Sequence, residues 1–225
     1  MTLLKAVLFD LDGTLVDTAP DFVVTLNRLL QRHNKAPLNS QLIRTKVSQG
    51  ARALVTLGFG LQEGDAGFEE LRGELLAIYA ENLCVESRLF PGIDTLLQEF
   101  HSRDILWGVA TNKPAQFAEP LMAALDLSSP PAVILCPDHV AKPKPDPESL
   151  HLACKTLACD VAECVYVGDH LRDIQCGQRA GMETIAAAYG YLDQEERAQD
   201  WQASYLVEHA SDIWPILRDG RYSNT

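Results

Sequence analysis

No apolar stretch in this sequence is long enough to span a bilayer, and the N-terminal run is interrupted by Lys5, Asp10 and Asp12, so it does not read as a secretory leader. A cytoplasmic chain is expected, with no membrane partner. Positive charge is scarce: 19 lysines and arginines stand against 31 acids, a formal net charge of −12, which disfavours general attraction to nucleic acid or an anionic surface. An anionic ligand would need a local device: a metal, a few lysines, or backbone N–H groups. Internal repeats and low-complexity tracts are absent. The six cysteines (Cys84, Cys136, Cys154, Cys159, Cys164 and Cys176) match no familiar zinc spacing and are expected to be buried, reduced thiols. A chain of 225 residues can bury a substantial core without such staples.

What is present is a rhythm. Short apolar runs at Ala6–Phe9, Leu106–Ala110, Ala132–Leu135, Cys164–Val167, Thr184–Ala188 and Tyr205–Val207 read as strands buried on both faces. Helical patterns at Ile93–His101, Phe117–Leu125, Pro147–Leu157 and Asp173–Ala180 alternate with them, which predicts an α/β fold with a Rossmann-like, doubly wound parallel sheet. Between Val16 and Leu89 no strand is evident. Amphipathic stretches at Asp21–His33, Leu42–Leu57 (interrupted by Gly50) and Gly67–Asn82 predict an inserted all-helical unit, with Thr18 as a cap and Pro20 in the first turn. The expected domains are therefore a core of residues 1–15 and 90–225 and a helical lid of residues 16–89 at the ligand edge of the sheet. The stretch 198–225 carries little signal, and its end is expected to be disordered.

Four runs end in residues that a plain strand would not favour. Asp10 and Asp12 follow the first, two apart and facing one side, with Gly13 allowing a tight turn. Like charges so close raise a pKa or demand a cation; an ionised Asp can attack phosphorus and a protonated one can serve a leaving group. Asp-Gly is also ordinary turn chemistry. Thr111 and Asn112 end the second run and could hold a phosphate oxygen or cap a helix. In the proline-braced segment Ala141–Pro147, Lys142 or Lys144 could be held rigidly toward an anion, or simply lie in a solvated loop. Gly168-Asp169 ends the fourth run, with Asp173 four residues on; such carboxylates suit Mg²⁺ rather than a soft metal, although Asp173 also fits a helix start.

In this order, Asp10-Leu-Asp-Gly-Thr, Thr111, a Lys-Pro-x-Pro lysine and Gly168-Asp169-x-x-x-Asp173 resemble the four motifs of the haloacid dehalogenase-like phosphohydrolases. The resemblance spans nearly the whole chain. It implies a Rossmann-like core with a lid inserted after the first motif, Mg²⁺, and a phosphoaspartate. It further implies that Asp10 attacks phosphorus, and that Asp12 protonates the leaving oxygen and later helps activate water. Thr111, with Asn112 beside it, would bind the phosphoryl group, and the motif lysine would neutralise it. Asp10, Asp169 and the Asp12 carbonyl would hold the metal, and Asp173 would orient a metal-bound water or pair with the lysine. Lys144 fits the family's spacing to the following helix better than Lys142. His170 stands where the family more often has a small or acidic residue. The strings Leu106–Pro114, Cys136–Val140 and Lys144–Glu148 are similar to the phosphoglycolate phosphatase branch, closest to its N-acetylmuramic acid 6-phosphate phosphatases of cell-wall sugar recycling.

A small phosphorylated substrate and a monomer are expected. Substrate choice is expected in the lid, at Ser48–Arg52, where Gly50 and Arg52 could greet a carboxylate; Arg44 and Lys46 have weaker claims. Phosphoglycolate carries a carboxylate too, so Arg52 does not separate the two substrates. A phosphomutase would use the same aspartates. A phosphonate hydrolase would need a Schiff-base lysine such as Lys35 or Lys46. A dehalogenase has no use for Asp12, and a non-catalytic regulator would not need the site intact.

Overall fold

The computed structural model describes residues 3–193 and 197–220. In chain order the elements are β1 Ala6–Phe9, β2 Val16–Asp17, α1 Ala19–Arg32, α2 Ser40–Arg44, α3 Ala51–Phe59, α4 Phe68–Glu81, β3 Arg88–Leu89, α5 Ile93–Ser102, β4 Leu106–Ala110, α6 Ala115–Ala124, β5 Val133–Leu135, α7 Glu148–Leu157, β6 Cys164–Gly168, α8 Leu171–Ala180, β7 Glu183–Ala187, β8 Tyr205–Val207 and α9 Ile213–Asp219.

Six of the strands form a parallel sheet in the order β5-β4-β1-β6-β7-β8. The reason its central strand is continuously apolar lies in its two faces. Val7 and Phe9 point into a core shared with Phe100 of α5 and Ile213 of α9, while Ala6 and Leu8 point into one shared with Leu150 of α7 and Cys176 of α8. Each fully buried aliphatic or aromatic side chain of this kind contributes about 1.5–3 kcal/mol. The six cysteines are free thiols. Residues 221–225, the end expected to be disordered, lie outside the described residues.

Between β2 and β3 the chain is helical. Helix α1 presents Phe22, Leu26, Leu29 and Leu30 to α2, α3 and α4, at the spacing of one helical face. Gly50, with φ +84°, separates a short 3₁₀ turn (Val47–Gln49) from α3, and this is what breaks the apolar pattern seen in sequence.

Two features differ from the sequence reading. The insertion is bounded by a strand at each end: Val16 pairs with Leu89 and Asp17 with Arg88, antiparallel. Strands two residues long show no periodicity that a sequence can display. Thr18 precedes α1, but its hydroxyl is not the cap. It donates to Asp12 Oδ1 at 2.6 Å, and the amides of Thr18 and Ala19 donate instead to the Tyr191 hydroxyl at 2.6 and 2.9 Å. A phenol from a loop 173 residues away satisfies the helix start, leaving the threonine free for the site.

Candidate active site

Parallel register brings the strand ends to one edge. Phe9 lies between Val109 and Val167, so the residues that follow β1, β4 and β6 emerge side by side. The Asp10 amide donates to Val167 O and the Thr111 amide to Leu135 O, both at 2.9 Å, which fixes where each leaves the sheet. Gly13, at φ +86°, turns the chain back. A Cβ there would lie 2.1 Å from Asp169 Oδ2, so only glycine permits this approach.

Asp10, Asp169 and Asp173 are buried, with carboxylate oxygens within 4.8 Å of one another. One cation stands among them. The Lys144 ammonium reaches Asp10 Oδ1 at 2.9 Å, Asp173 Oδ1 at 2.7 Å and the Tyr166 hydroxyl at 2.8 Å, and Tyr166 in turn donates to Ala110 O at 2.7 Å. Lys142 is exposed. Asn112 braces the lysine's backbone: its amide donates to Lys144 O at 3.1 Å, and its carbonyl accepts from Lys144 N at 3.0 Å. Asp169 accepts from the Thr14 hydroxyl at 3.0 Å, the Ser48 hydroxyl at 2.8 Å and Tyr191 N at 3.0 Å. Asp173 accepts from His170 N at 3.1 Å, while His170 Nδ1 accepts from Arg172 N at 3.1 Å. His170 is thus the N-cap of α8.

The electrostatics match this crowding. Burial, and then the nearby Asp10 and Asp173, push Asp169 up to about 7. Burial pushes Asp173 up to about 6 against the pull of Lys144. Burial pulls on Lys144 in the opposite sense, but Asp10 and Asp173 outweigh it and hold the ammonium charged. Burial, followed by the Arg172 charge, brings His170 down to about 4, consistent with a neutral ring that accepts a hydrogen bond. Three carboxylates around one ammonium remain short of positive charge. Their hard oxygen donors could hold a divalent cation, which would keep Asp169 ionised.

Of these groups, Asp10 and Lys144 line a cavity of about 260 Å³. Asp10, Asp12, Thr111 and Lys113 come from the strand ends and Lys144 from the loop before α7. The helical insertion supplies Ser48, Gly50, Arg52 and Arg72, with Phe22, Leu76 and Tyr79 as apolar wall. Arg52 is half-exposed and pairs with Glu63 at 3.0 Å and Glu69 at 3.7 Å. Arg44 is gripped by both oxygens of Asp17 at 2.8 Å and covers the Tyr191 ring, and Lys46 pairs with Asp193.

Sequence reasoning gave no role to Lys113, Thr14, Tyr166 or Tyr191, and it placed Ser48 in the substrate-choosing stretch, whereas its hydroxyl donates to Asp169. Lys113 stands directly after Thr111-Asn112 and was open to notice. The others contribute through contacts between distant segments, for which the sequence carries no local signal.

A strand-end aspartate pair, a buried lysine and an acidic cluster beneath a helical insertion define a class. The chain belongs to the haloacid dehalogenase-like hydrolases, whose family pattern it matches over residues 7–187, and it is a phosphatase of that family. It is 45% identical to the N-acetylmuramic acid 6-phosphate phosphatase of Pseudomonas putida, over 95% of this chain and 96% of that protein. It is 36% identical to the phosphoglycolate phosphatase of Xanthomonas campestris, over 93% of this chain and 95% of that one. Among solved structures, a predicted phosphoglycolate phosphatase from Haemophilus somnus superposes with a TM-score of 0.84 at 25% identity, covering 96% of this chain and 99% of the other.

Proposed function

We propose that this phosphatase hydrolyses N-acetylmuramic acid 6-phosphate through a phosphoaspartate on Asp10, with Mg²⁺ bound. The observation that carries the chemistry is that Asp10, Asp12, Thr111 and Lys144 line one cavity. Asp10 Oδ1 is engaged by Lys144 and by the Leu11 amide at 2.6 Å, which leaves Oδ2 to attack phosphorus. As that P–O bond forms, the bond to the sugar oxygen breaks, and Asp12 gives that oxygen a proton. Asp12 then takes a proton from the water that attacks the phosphoaspartate, which frees inorganic phosphate and restores Asp10. Thr111 and Lys144 bind the phosphoryl oxygens throughout. Mg²⁺, held by Asp10, Asp169 and the Asp12 carbonyl, would neutralise phosphate charge so that a carboxylate can approach it. Asp173 keeps Lys144 in position. Residues 16–89 act as the lid over a core of 1–15 and 90–225.

For the substrate, the 45% identity to the Pseudomonas putida enzyme over nearly its full length is the main support. In support of this reading, Phe22, Leu76 and Phe117 give the cavity an apolar wall that suits a sugar ring, and Gly50 and Arg52 line the same cavity, where Arg52 could exchange Glu63 and Glu69 for a substrate carboxylate. Phosphoglycolate is the second reading, favoured by the Xanthomonas campestris relative, but it would leave that wall unfilled. In a phosphate-release panel of N-acetylmuramic acid 6-phosphate, phosphoglycolate and simple sugar phosphates, the first is expected to have the highest kcat/KM. A higher value for phosphoglycolate would reverse the assignment.

The metal has its own signature. Asp169 and Asp173 hold protons in the folded state up to about pH 7 and 6, whereas the unfolded chain releases them near its ordinary carboxylate value of about 4. The folded state binds more protons in that window, so these two groups subtract stability as pH rises through it. Mg²⁺ held by Asp10 and Asp169 would compete directly with the Asp169 proton and, through its charge, disfavour that of Asp173. Its stabilising effect in thermal melts, measured against EDTA, is expected to be small near pH 5 and to grow toward about pH 7.5. A Tm indifferent to Mg²⁺ at the higher pH would count against a metal at this cluster.

A further inference from the structure

Lys113 is a buried cation for which the reaction above has no use. It is 7% exposed. Its ammonium meets Asp12 Oδ1 at 2.9 Å and the Tyr79 hydroxyl at 2.8 Å. It lies over the rings of Phe22, 5.0 Å from the centroid, and Tyr79, 4.6 Å away. Those two rings stack on each other at 4.1 Å and 7°. Phe22 belongs to α1 and Tyr79 to α4, so both faces of the cage come from the helical insertion, while Lys113 and Asp12 belong to the strand ends. A desolvated ammonium is costly unless compensated. Here the compensation is the Asp12 carboxylate, the Tyr79 hydroxyl and the neighbouring Phe22 and Tyr79 rings, and all of it but the carboxylate comes from the insertion.

We propose that Lys113 is the positioning residue for Asp12, and that it transmits the seating of the helical insertion to the proton-transfer step. Asp12 Oδ1 is tied twice, by Lys113 and by the Thr18 hydroxyl at 2.6 Å, and Thr18 stands at the threshold of α1. Both ties depend on the insertion being seated. With Oδ1 fixed, Oδ2 is the oxygen left to exchange a proton with the leaving group. When α1 and α4 shift, the aromatic cage opens, Lys113 is no longer held, and Asp12 loses its orientation before the nucleophile is disturbed. Cleavage that needs an acid is thereby confined to the closed arrangement. This inference rests on the reading of Asp12 as the acid.

The test uses leaving groups. Three variants of the full chain, Asp12→Asn, Lys113→Met and Tyr79→Phe, are compared with wild type by kcat/KM, which reports the first, leaving-group-bearing step. One substrate is the best sugar phosphate of the panel, whose alkoxide needs a proton. The other is p-nitrophenyl phosphate, whose phenolate departs without one. Lys113→Met is expected to lose about tenfold to a hundredfold on the sugar phosphate, a fraction of what a general acid supplies, and several-fold less on p-nitrophenyl phosphate. Tyr79→Phe, which keeps the ring and the Asp12 contact, should lose in the same direction but less. Melting temperatures near wild type establish that each variant is folded; Tyr79→Phe carries the test if Lys113→Met is not. An equal loss of Lys113→Met on both substrates, or a loss confined to KM, would overturn the inference and make Lys113 a structural or substrate-binding group. No effect of Tyr79→Phe would overturn the coupling to the insertion. If Asp12→Asn itself shows no leaving-group dependence, the acid assignment has failed, a result distinct from failure of Lys113 alone.

Discussion

Asp10→Asn protein is expected to fold, bind substrate and release no phosphate. The amide keeps the shape of the side chain but is no nucleophile toward phosphorus, and no covalent intermediate can form. The fold should survive because the substitution removes one of three crowded carboxylates and leaves the Lys144–Asp173 contact, at 2.7 Å, as a matched pair. The loss in kcat should be on the order of 10⁴-fold or more, as for removal of a nucleophile elsewhere. Phosphate release, a thermal melt and calorimetric titration with substrate would separate the three properties. Wild-type turnover in the purified variant would refute the assignment of Asp10.

Lys144→Met should damage stability and catalysis together. Its ammonium is the common partner of Asp10, Asp173 and Tyr166, all deep in the site. Removing one member of a buried ionic group strands the others, at a cost of about 3–5 kcal/mol. For a chain of this size that is a fall in Tm on the order of 10 °C, measured without divalent ions. The fall should be larger at pH 7.5 or so than near pH 5, where the orphaned carboxylates take up protons. Adding Asp173→Asn to Lys144→Met should restore much of the stability and none of the activity, a non-additivity expected of direct partners. A doubly substituted protein as unstable as the single variant would show that Lys144 acts through packing and not through charge.

The sheet was legible because its strands are buried on both faces. A run such as Ala6-Val7-Leu8-Phe9 fits a strand covered on both faces, and the acids that end it mark the edge where ligands collect in such sheets. The helices of the insertion were legible for the opposite reason: one face of α1 is apolar and the other is not. What escaped was either too short or too distant. The Val16–Asp17 and Arg88–Leu89 pairing needs two segments to exist at all. Thr18 looked like a cap because threonines usually are; the Tyr191 hydroxyl took that task from across the molecule. Asn112, expected on phosphate by its residue type, lines the cavity, and its side chain also braces the backbone of Lys144, a contact that depends on how a loop 32 residues later returns. His170, unusual for its position, supplies the N-cap of α8 in place of the commoner Ser, Thr or Asp. Lys113 meets Tyr79 across 34 residues, and nothing in either neighbourhood announces the other.

The short antiparallel ribbon at Val16–Asp17 and Arg88–Leu89 has an evolutionary corollary. Because the polypeptide departs and returns through adjacent threads, the ribbon itself holds the two ends of the helical span together. Were recognition to lie in that span, any replacement would still have to supply the Thr18 hydroxyl that holds Asp12 and the Phe22 and Tyr79 rings beside Lys113.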